Sequence, residues 1–293
     1  MRLYQLKRIA LTGIATCLVM GCSHKDSQGD DKPTVAASIP PIAAIVRHIA
    51  GDRMNTVTVC DSNTDPETYE PTASKRMKLG KASIFFLAGY LPFEHSLGTN
   101  LKHENADMTI VDTSDGLELL EGTHGESHDH GHSHDIDPHT WTSLTNGASI
   151  ARTVCSALCE SDPDGADVYR HNLASLLEKI SEADSTVRHT LQSAPSKAFI
   201  VWHPSLSYFA RDYGLDQIAL GLEGKDLTPA LMRSAIVEAA EHDARVMFLQ
   251  PQYDSRAASA INSNIKAKTV SINPLDSCWI EQIILIANEI ARS

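Results

Sequence analysis

The sequence predicts an α/β protein of two lobes, each with a four-stranded, mostly parallel sheet, joined by one long helix. Two observations lead to this prediction. Short apolar segments alternate with amphipathic helical patterns along the chain, which is typical of parallel sheets. These segments also fall into two groups of four, separated by one helical apolar stripe of about thirty residues.

Eight short segments have the composition of buried strands. They are apolar throughout rather than alternating, as expected where helices cover both faces of a sheet. The first group is TVAASI (34–39), NTVTVC (55–60), SIFFLA (83–88) and MTIV (108–111). The second group is AFIVW (198–202), QIAL (217–220), RVMFL (245–249) and KTVSI (268–272).

Helical patterns lie between the strands, at 41–51, 91–102, 205–213, 229–242, 254–266 and 278–292. The stripe that separates the two groups occupies 164–193 and predicts a helix about 45 Å long. Its apolar residues recur at steps of three and four: Tyr169, Leu173, Leu176, Ile180, Ala183, Val187 and Leu191. Pro163 suits its start, and Pro195 ends it.

The N-terminus has the features of a bacterial lipoprotein signal. Basic residues precede an apolar run over 9–21 that is too short to span a bilayer, and the run leads directly into Cys22. We therefore predict a signal peptide at 1–21, a lipidated Cys22 and a flexible tether over 22–32. The predicted domains are an N-terminal lobe (33–163), a linker helix (164–194) and a C-terminal lobe (195–293).

Charge and cysteine content exclude two classes of site. The net charge of −12 disfavours nucleic-acid binding, which requires basic residues. The chain has no CxxC pair, so a thiolate zinc site is not expected. Cys155 and Cys159 have a spacing that suits a disulfide poorly. We expect buried, inert cysteines, and whether Cys60 pairs with Cys278 is open.

Several chemically active side chains follow predicted strands. Asp65, Glu67 and Glu70 come after the second strand, and His203 comes directly after AFIVW. A further histidine, His139, stands alone in DPHTW (137–141), and two amide-bearing loops follow the strands at 245–249 and 268–272. Ligands of parallel sheets bind beyond the carboxyl ends of the strands. These loops are therefore expected to converge on one cleft between the lobes.

The chain resembles the metal-specific solute-binding lipoproteins of ABC importers (cluster A-I), chiefly the zinc-binding members and their manganese-binding relatives. The resemblance covers nearly all of the chain after the signal peptide. It rests on six motifs in order: VAASIPPIAAIVRHIAGD (35–52), DPETYEPTASK (65–75), FFLAGYLPFE (85–94), DPHTW (137–141), VWHPSLSYFARDYGL (201–215) and LQPQYD (249–254). The resemblance implies two α/β lobes joined by a long helix, with the metal between them.

The resemblance also implies a ligand set. The family's first ligand is a histidine, and Glu67 stands at that position; the second and third map to His139 and His203. A fourth ligand, often Asp, maps to Asn273, and the family's Glu before PQ is Gln250 here. Asn273 also suits a simple turn before Pro274. The aromatic residues Tyr69, Trp141 and Tyr208 are expected to wall the cleft.

The implied donors favour zinc. Zinc takes His nitrogen and carboxylate oxygen in tetrahedral sites, and a water or chloride could replace the weak Asn273 ligand. Manganese or iron is the alternative, but harder manganese prefers more oxygen ligands than this set supplies.

A histidine-rich run, HGESHDHGHSHDI, precedes the isolated His139. Its histidines are His124, His128, His130, His132 and His134. Alternate residues of an extended chain project to one side, and histidines are largely neutral at pH 7. We expect segment 124–135 to be an accessory metal loop, with a solvated loop of no role as the alternative.

The expected function is a lipid-anchored, exported protein that hands zinc to an ABC permease, acts as a monomer and faces the periplasm or cell exterior. Alternatives are a zinc-storage protein or adhesin that uses the histidine run, and a secreted zinc hydrolase. The hydrolase is disfavoured because HENAD (103–107) lacks the second histidine of HExxH. No enzymatic activity is expected.

Overall fold

The structure of the protein is a computed structural model, which describes residues 32–122, 136–221, 229–253 and 255–293. The predicted signal peptide, Cys22 and the five histidines of the accessory loop lie outside these residues. Among the described residues, none of the helices combines the length and the apolar character needed to cross a bilayer.

The first half of the chain forms a parallel sheet with strand order β2-β1-β3-β4. Its elements are β1 (Thr34–Ala37), α1 (Pro40–Ala50), β2 (Asn55–Thr58), α2 (Ala73–Leu79), β3 (Ile84–Leu87), α3 (Pro92–Glu104) and β4 (Thr109–Asp112). Two long helices follow, α4 (Leu144–Ser161) and α5 (Ala166–Leu191).

The second half repeats this arrangement, with strand order β6-β5-β7-β8 and parallel pairing throughout. Its elements are β5 (Ala198–Val201), α6 (Ser207–Tyr213), β6 (Asp216–Ala219), α7 (Pro229–Glu241), β7 (Val246–Leu249), α8 (Ser255–Ile265), β8 (Lys268–Ser271) and α9 (Trp279–Ala291). Together the halves confirm the predicted fold class.

Helix α5 joins the two halves and packs against both. It contacts α1 and α4 of the first half and α9 of the second. Its buried residues are Tyr169, Leu176, Ile180, Ala183, Val187 and Leu191, and Leu173 is partly buried against the same core. The predicted stripe is therefore the buried face of this helix. The domain limits proposed from the sequence stay a prediction.

Local sequence signals explain where several helices begin and end. Two prolines open α1, and Gly51 closes it with a φ of 56° that favours glycine. The Thr72 and Ser143 side chains accept hydrogen bonds from the backbones of Lys75 and Asn146, which caps α2 and α4.

Burial differs from the prediction at the sheet edges. The inner strands β1, β3, β5 and β7 are almost wholly buried, but β2, β4, β6 and β8 are largely half-buried or exposed. The expectation that helices cover both faces of every strand is therefore wrong for the edge strands, which have a neighbouring strand on one side.

The cysteines also depart in part from the expectation. All four described cysteines are free, and Cys60 and Cys155 are buried as expected. Cys159 is half-buried and Cys278 is exposed, so uniform burial was wrong. Burial raises the pKa of the Cys60 thiol to about 12, which keeps it protonated and unreactive.

The strand order places two switch points where ligand-binding loops meet. The order reverses between β1 and β3 in the first sheet and between β5 and β7 in the second. Loops that leave the carboxyl ends of such strands form the ligand crevice of open parallel sheets. Segments 202–206 and 250–253 leave β5 and β7 beside the second switch point, and segment 59–72 leaves the carboxyl end of the edge strand β2.

Candidate metal centre

Three predicted ligands meet at one point between the halves. Glu67 lies in the loop after β2, His139 precedes a short 3-10 turn and α4, and His203 follows β5 by two residues. The Glu67 Oε1 atom lies 3.4 Å from His139 Nε2 and 3.2 Å from His203 Nε2. The two Nε2 atoms lie 3.1 Å apart. Within the described residues, this is the group of acidic, histidine or cysteine side chains close enough to hold one ion.

The spacing of these donor atoms fits a tetrahedral zinc ion. Zinc–ligand distances of about 2.0–2.1 Å place neighbouring donors of a tetrahedron about 3.3 Å apart. An octahedral ion with similar distances needs donors about 2.9 Å apart. The observed edges of 3.1, 3.2 and 3.4 Å match the tetrahedral case better. Three donors occupy one face of such a tetrahedron and leave a fourth position.

The site is buried most deeply on its histidine side. The exposed side-chain fractions are 4% for His139, 8% for His203 and 17% for Glu67. His139, His203 and Trp141 line a small cavity, whereas Glu67 lines a second, more polar one with Tyr69 and Arg76. Glu67 is therefore the member of the group nearest to solvent.

Asp137 orients the His139 ring. Its Oδ1 atom accepts a hydrogen bond from the His139 backbone and lies 2.8 Å from His139 Nδ1. A proton on Nδ1 leaves a lone pair on Nε2, aimed at the ligand point. Burial raises the pKa of Asp137, but the charge and hydrogen bonds of His139 and a hydrogen bond from Ser207 outweigh it, so the pKa lies below its usual range. The carboxylate therefore stays ionised beside the ring.

This role of Asp137 was not predicted from the sequence. The available signal was its place two residues before His139 in DPHTW. Tyr208 supports the same turn, since its hydroxyl donates to the Asp137 carbonyl and accepts from the Leu120 backbone. Of the three aromatic residues expected to wall the cleft, Trp141 lines the small cavity beside the two histidines and Tyr69 lines the cavity beside Glu67. Tyr208 lines neither cavity, because it is fully buried against the Asp137 carbonyl.

Gln250 holds the loop that carries His203. Its Nε2 atom donates to the His203 carbonyl (3.0 Å) and to Ser205 Oγ (2.8 Å). The His203 ring stacks on Tyr253, with centroids 4.8 Å apart. These contacts fix both the backbone and the ring of His203, a candidate ligand. The contact with Tyr253 was not predicted from the sequence.

The acidic loop after β2 contributes Glu67 rather than a cluster of carboxylates. Asp65 caps the turn, because its carboxylate accepts hydrogen bonds from the backbone of Glu67 (2.9 Å) and the hydroxyl of Thr68 (3.2 Å). Glu70 is exposed and lies outside the three-residue group. The Tyr69 hydroxyl donates to the Val59 carbonyl, which closes the loop on itself.

Asn273 is engaged in hydrogen bonds. Its Oδ1 atom accepts from Gln252 Nε2 and from the Leu275 backbone, both at 3.1 Å, and its Nδ2 atom donates to the Ser62 carbonyl. Coordination by Asn273 stays a prediction, and it would require the amide to give up these bonds.

Known proteins that resemble this chain are described as zinc-uptake or zinc-binding proteins. The profile of the family described as "ZnuA: Zinc-uptake complex component A periplasmic" matches residues 35–281. The chain is 28% identical to the zinc-binding lipoprotein AdcA of Streptococcus pneumoniae (strain ATCC BAA-255 / R6) over 93% of its length, but spans only 56% of that protein.

Two further matches cover nearly whole chains. The high-affinity zinc uptake system protein ZnuA of Bacillus subtilis (strain 168) is 28% identical, over 92% of this chain and 89% of that protein. A crystal structure of ZnuA superposes with a TM-score of 0.81 at 32% sequence identity, covering 90% of this chain and 99% of that one.

Proposed function

Because the chain belongs to the family of periplasmic zinc-uptake components A, we propose that it captures a zinc ion between its two halves outside the cytoplasm. It then delivers the ion to the permease of an ABC importer. The observation that carries the proposal is the convergence of Glu67, His139 and His203 donor atoms at tetrahedral spacing.

The chemistry of the donors supports zinc as the transported ion. Two imidazole nitrogens and one carboxylate oxygen are donors that zinc prefers, and a water or chloride completes a four-coordinate shell. One negative charge neutralises only part of the charge of the ion. Manganese or iron remains the alternative cargo, and it is disfavoured because a hard ion prefers more oxygen donors.

Lipid attachment and location belong to the same proposal. The predicted lipidated Cys22 would tether the domain to a membrane, and relatives that match the chain are named lipoproteins. A protein held in this way would collect zinc outside the cytoplasm and release it to a permease in the same envelope. We propose that it does so as a monomer.

Binding rather than catalysis is the proposed role of the site. A zinc hydrolase requires a general base beside a metal-bound water. The carboxylate nearest the ligand point is Glu67, which we assign as a ligand, and Asp137 is directed at the far side of His139. We therefore assign Glu67 as a ligand and Asp137 as the hydrogen-bond partner of His139, and neither carboxylate as a general base.

Titration calorimetry tests the proposal. We expect the double variant His139→Ala/His203→Ala to lose one tightly bound zinc, while deletion of 124–135 leaves that ion in place. The matched control removes two exposed histidines of α3, His95 and His103, and should bind zinc as the wild type does.

The opposite pattern would contradict the proposal. Tight binding that survives loss of His139 and His203 would exclude the cleft as the zinc site. Loss of tight binding only on deletion of 124–135 would favour a storage or adhesin role for the histidine run. Repeating the titration with Mn²⁺ decides between the two candidate ions.

A further inference from the structure

Two amide side chains of the second half converge on one carbonyl of the first half. Asn273 follows β8 and Gln252 follows β7, whereas Ser62 lies in the loop that carries Glu67. Gln252 Nε2 donates to the Ser62 carbonyl at 2.6 Å, and Asn273 Nδ2 donates to it at 3.2 Å. One backbone oxygen thus receives two hydrogen bonds, which is the full capacity of its lone pairs.

The acceptor oxygen of Asn273 is equally saturated. It accepts from Gln252 Nε2 and from the Leu275 backbone, both at 3.1 Å. The Asn273 backbone in turn donates to Gln282 Oε1 at 2.9 Å, which fixes the segment that presents the amide. An amide oxygen has two acceptor sites. In this arrangement neither of them is directed at a metal ion.

The carbonyl that the amides hold belongs to the loop of a metal ligand. The loop leaves the first sheet at Val59 and Cys60, whose backbones donate to Ala37 and Ser38. Ser62 is the next point of attachment, and it is made to the other half of the molecule. Glu67 follows five residues later and meets His203 of that same half.

We propose that Asn273 and Gln252 form an interlobe clamp on the Ser62 carbonyl that positions Glu67 and slows release of the metal. This inference rests on the proposed zinc-binding function. Asn273 is then a positioning residue and not a ligand. Separation of the halves would break the clamp and draw the Glu67 loop away from His203, so release of the ion and loss of the clamp are coupled.

The chemistry of position 273 supports this assignment. The family resemblance places a ligating aspartate there, and a carboxylate cannot donate a hydrogen bond to the Ser62 carbonyl. An amide can donate to Ser62 and accept from Gln252 at the same time. The exchange of acid for amide therefore replaces a potential metal ligand by a cross-link between the lobes.

Release kinetics and the Co²⁺ spectrum together test the clamp in the full-length protein. The variants are Asn273→Ala, Gln252→Ala and the double variant, and zinc release is followed by transfer to an excess of a chromogenic chelator. The control is Asn264→Ala, an exposed amide of α8 that contacts the adjacent Ser263. The melting temperature of each variant is measured in parallel to verify folding.

We expect each single variant to accelerate release by roughly 2- to 10-fold, the effect of losing its hydrogen bond to the Ser62 carbonyl. The double variant should release zinc more slowly than the product of the single effects predicts, because the two amides share a carbonyl and contact each other. The visible bands of bound Co²⁺, which report its ligands, should be unchanged in all of them.

Three results would overturn the clamp. Release at the wild-type rate in both single variants would show that the amides do not hold the loop. A Co²⁺ spectrum altered by Asn273→Ala but not by Gln252→Ala would identify Asn273 as a ligand. A wild-type protein without a tightly held zinc would contradict the proposed function itself, and the clamp would fall with it.

Discussion

The Asp137 carboxylate fixes the orientation of the His139 ring. It is buried and lies 2.8 Å from Nδ1, on the opposite side of the ring from Glu67. Asp137→Asn should weaken zinc binding by roughly 10- to 100-fold, the usual effect of removing such a support. Competition with a chelator of known affinity measures this change. The matched control is Asp243→Asn, which changes an exposed aspartate paired with Arg245. Equal zinc affinity in the Asp137→Asn and Asp243→Asn variants would contradict the role of Asp137.

The meeting of the three candidate ligands was predictable from sequence because each lies in a short motif next to the end of a strand or the start of a helix. Glu67, His139 and His203 meet as expected. The hydrogen bonds that hold the loops of these candidate ligands in place were not predictable. Gln250 and Asn273 have no sequence neighbour that reveals their partners, since their hydrogen bonds reach the His203 loop and Ser62 across the fold.

At the scale of helices, Gly147 allows the Trp279 ring at the start of α9 to pack against the backbone of α4. A Cβ atom there would lie 2.4 Å from Cη2 of Trp279, whose ring is buried in the core. Gly147→Ala should therefore lower the free energy of unfolding by about 1–3 kcal/mol through overpacking. Denaturant titration measures the loss.

Gly98 in α3 supplies the control for this prediction. A Cβ atom at Gly98 would meet Ile110 at 3.7 Å, an ordinary contact. Gly98→Ala should be neutral or stabilise the protein by about 0.5–1 kcal/mol, because alanine favours helix more than glycine does. If the two alanine variants had the same stability, close packing at Gly147 would not be the constraint.

The junction between β3 and α3 depends on a buried carboxyl group. Glu94 accepts hydrogen bonds from the backbones of Ala88 (2.6 Å), Gly89 (2.9 Å) and Leu91 (3.1 Å). Burial raises its pKa to about 7, against the opposing effect of these bonds and of Ser38. Glu94→Gln leaves some of these donors without an acceptor, and near pH 4, where the contribution of Glu94 is largest, it should destabilise the fold by about 1–3 kcal/mol.

The same group makes stability depend on pH with a defined sign. Because the pKa is raised, the folded protein binds this proton more tightly than the unfolded chain does. The stability that Glu94 contributes is therefore lost as pH rises from about 4 to about 7. The Gln side chain of the Glu94→Gln variant does not titrate. The difference in free energy of unfolding between the wild type and this variant should therefore fall by up to about 3 kcal/mol across this range. Chemical denaturation at several pH values measures the difference, and a constant difference would exclude titration of Glu94.

Elements were predictable where hydrophobic periodicity was strong. Within the residues that the structure describes, all eight strands and seven of the helices lie close to the segments predicted for them. Helix α2 was missed because only Leu79 of its residues is buried. Helix α4 was missed although Ile150, Val154 and Leu158 share its buried face, since Ser, Thr and Asn residues dilute the pattern. Edge exposure depends on strand order, which local sequence does not encode.

At the scale of the whole molecule, the two halves are coupled through one core. A single apolar cluster includes Phe85 of the first sheet, Ile180 of α5 and Phe248 of the second sheet. Trp141 also donates to the Pro274 carbonyl across the halves. Because a stiff helix and a shared core both resist bending, opening of the lobes is expected to be small.

This coupling predicts that the described part of the protein unfolds in one thermal transition, and that zinc shifts all of it. Free zinc at about 100 times the dissociation constant should add about 2.7 kcal/mol to the free energy of unfolding. Differential scanning calorimetry with and without zinc measures the shift. The double variant His139→Ala/His203→Ala should unfold in the same single transition, but zinc should not shift it. The variant lacks the proposed ligands, whereas its core is intact. Two separate transitions, of which zinc moves only one, would show that the halves are independent folding units.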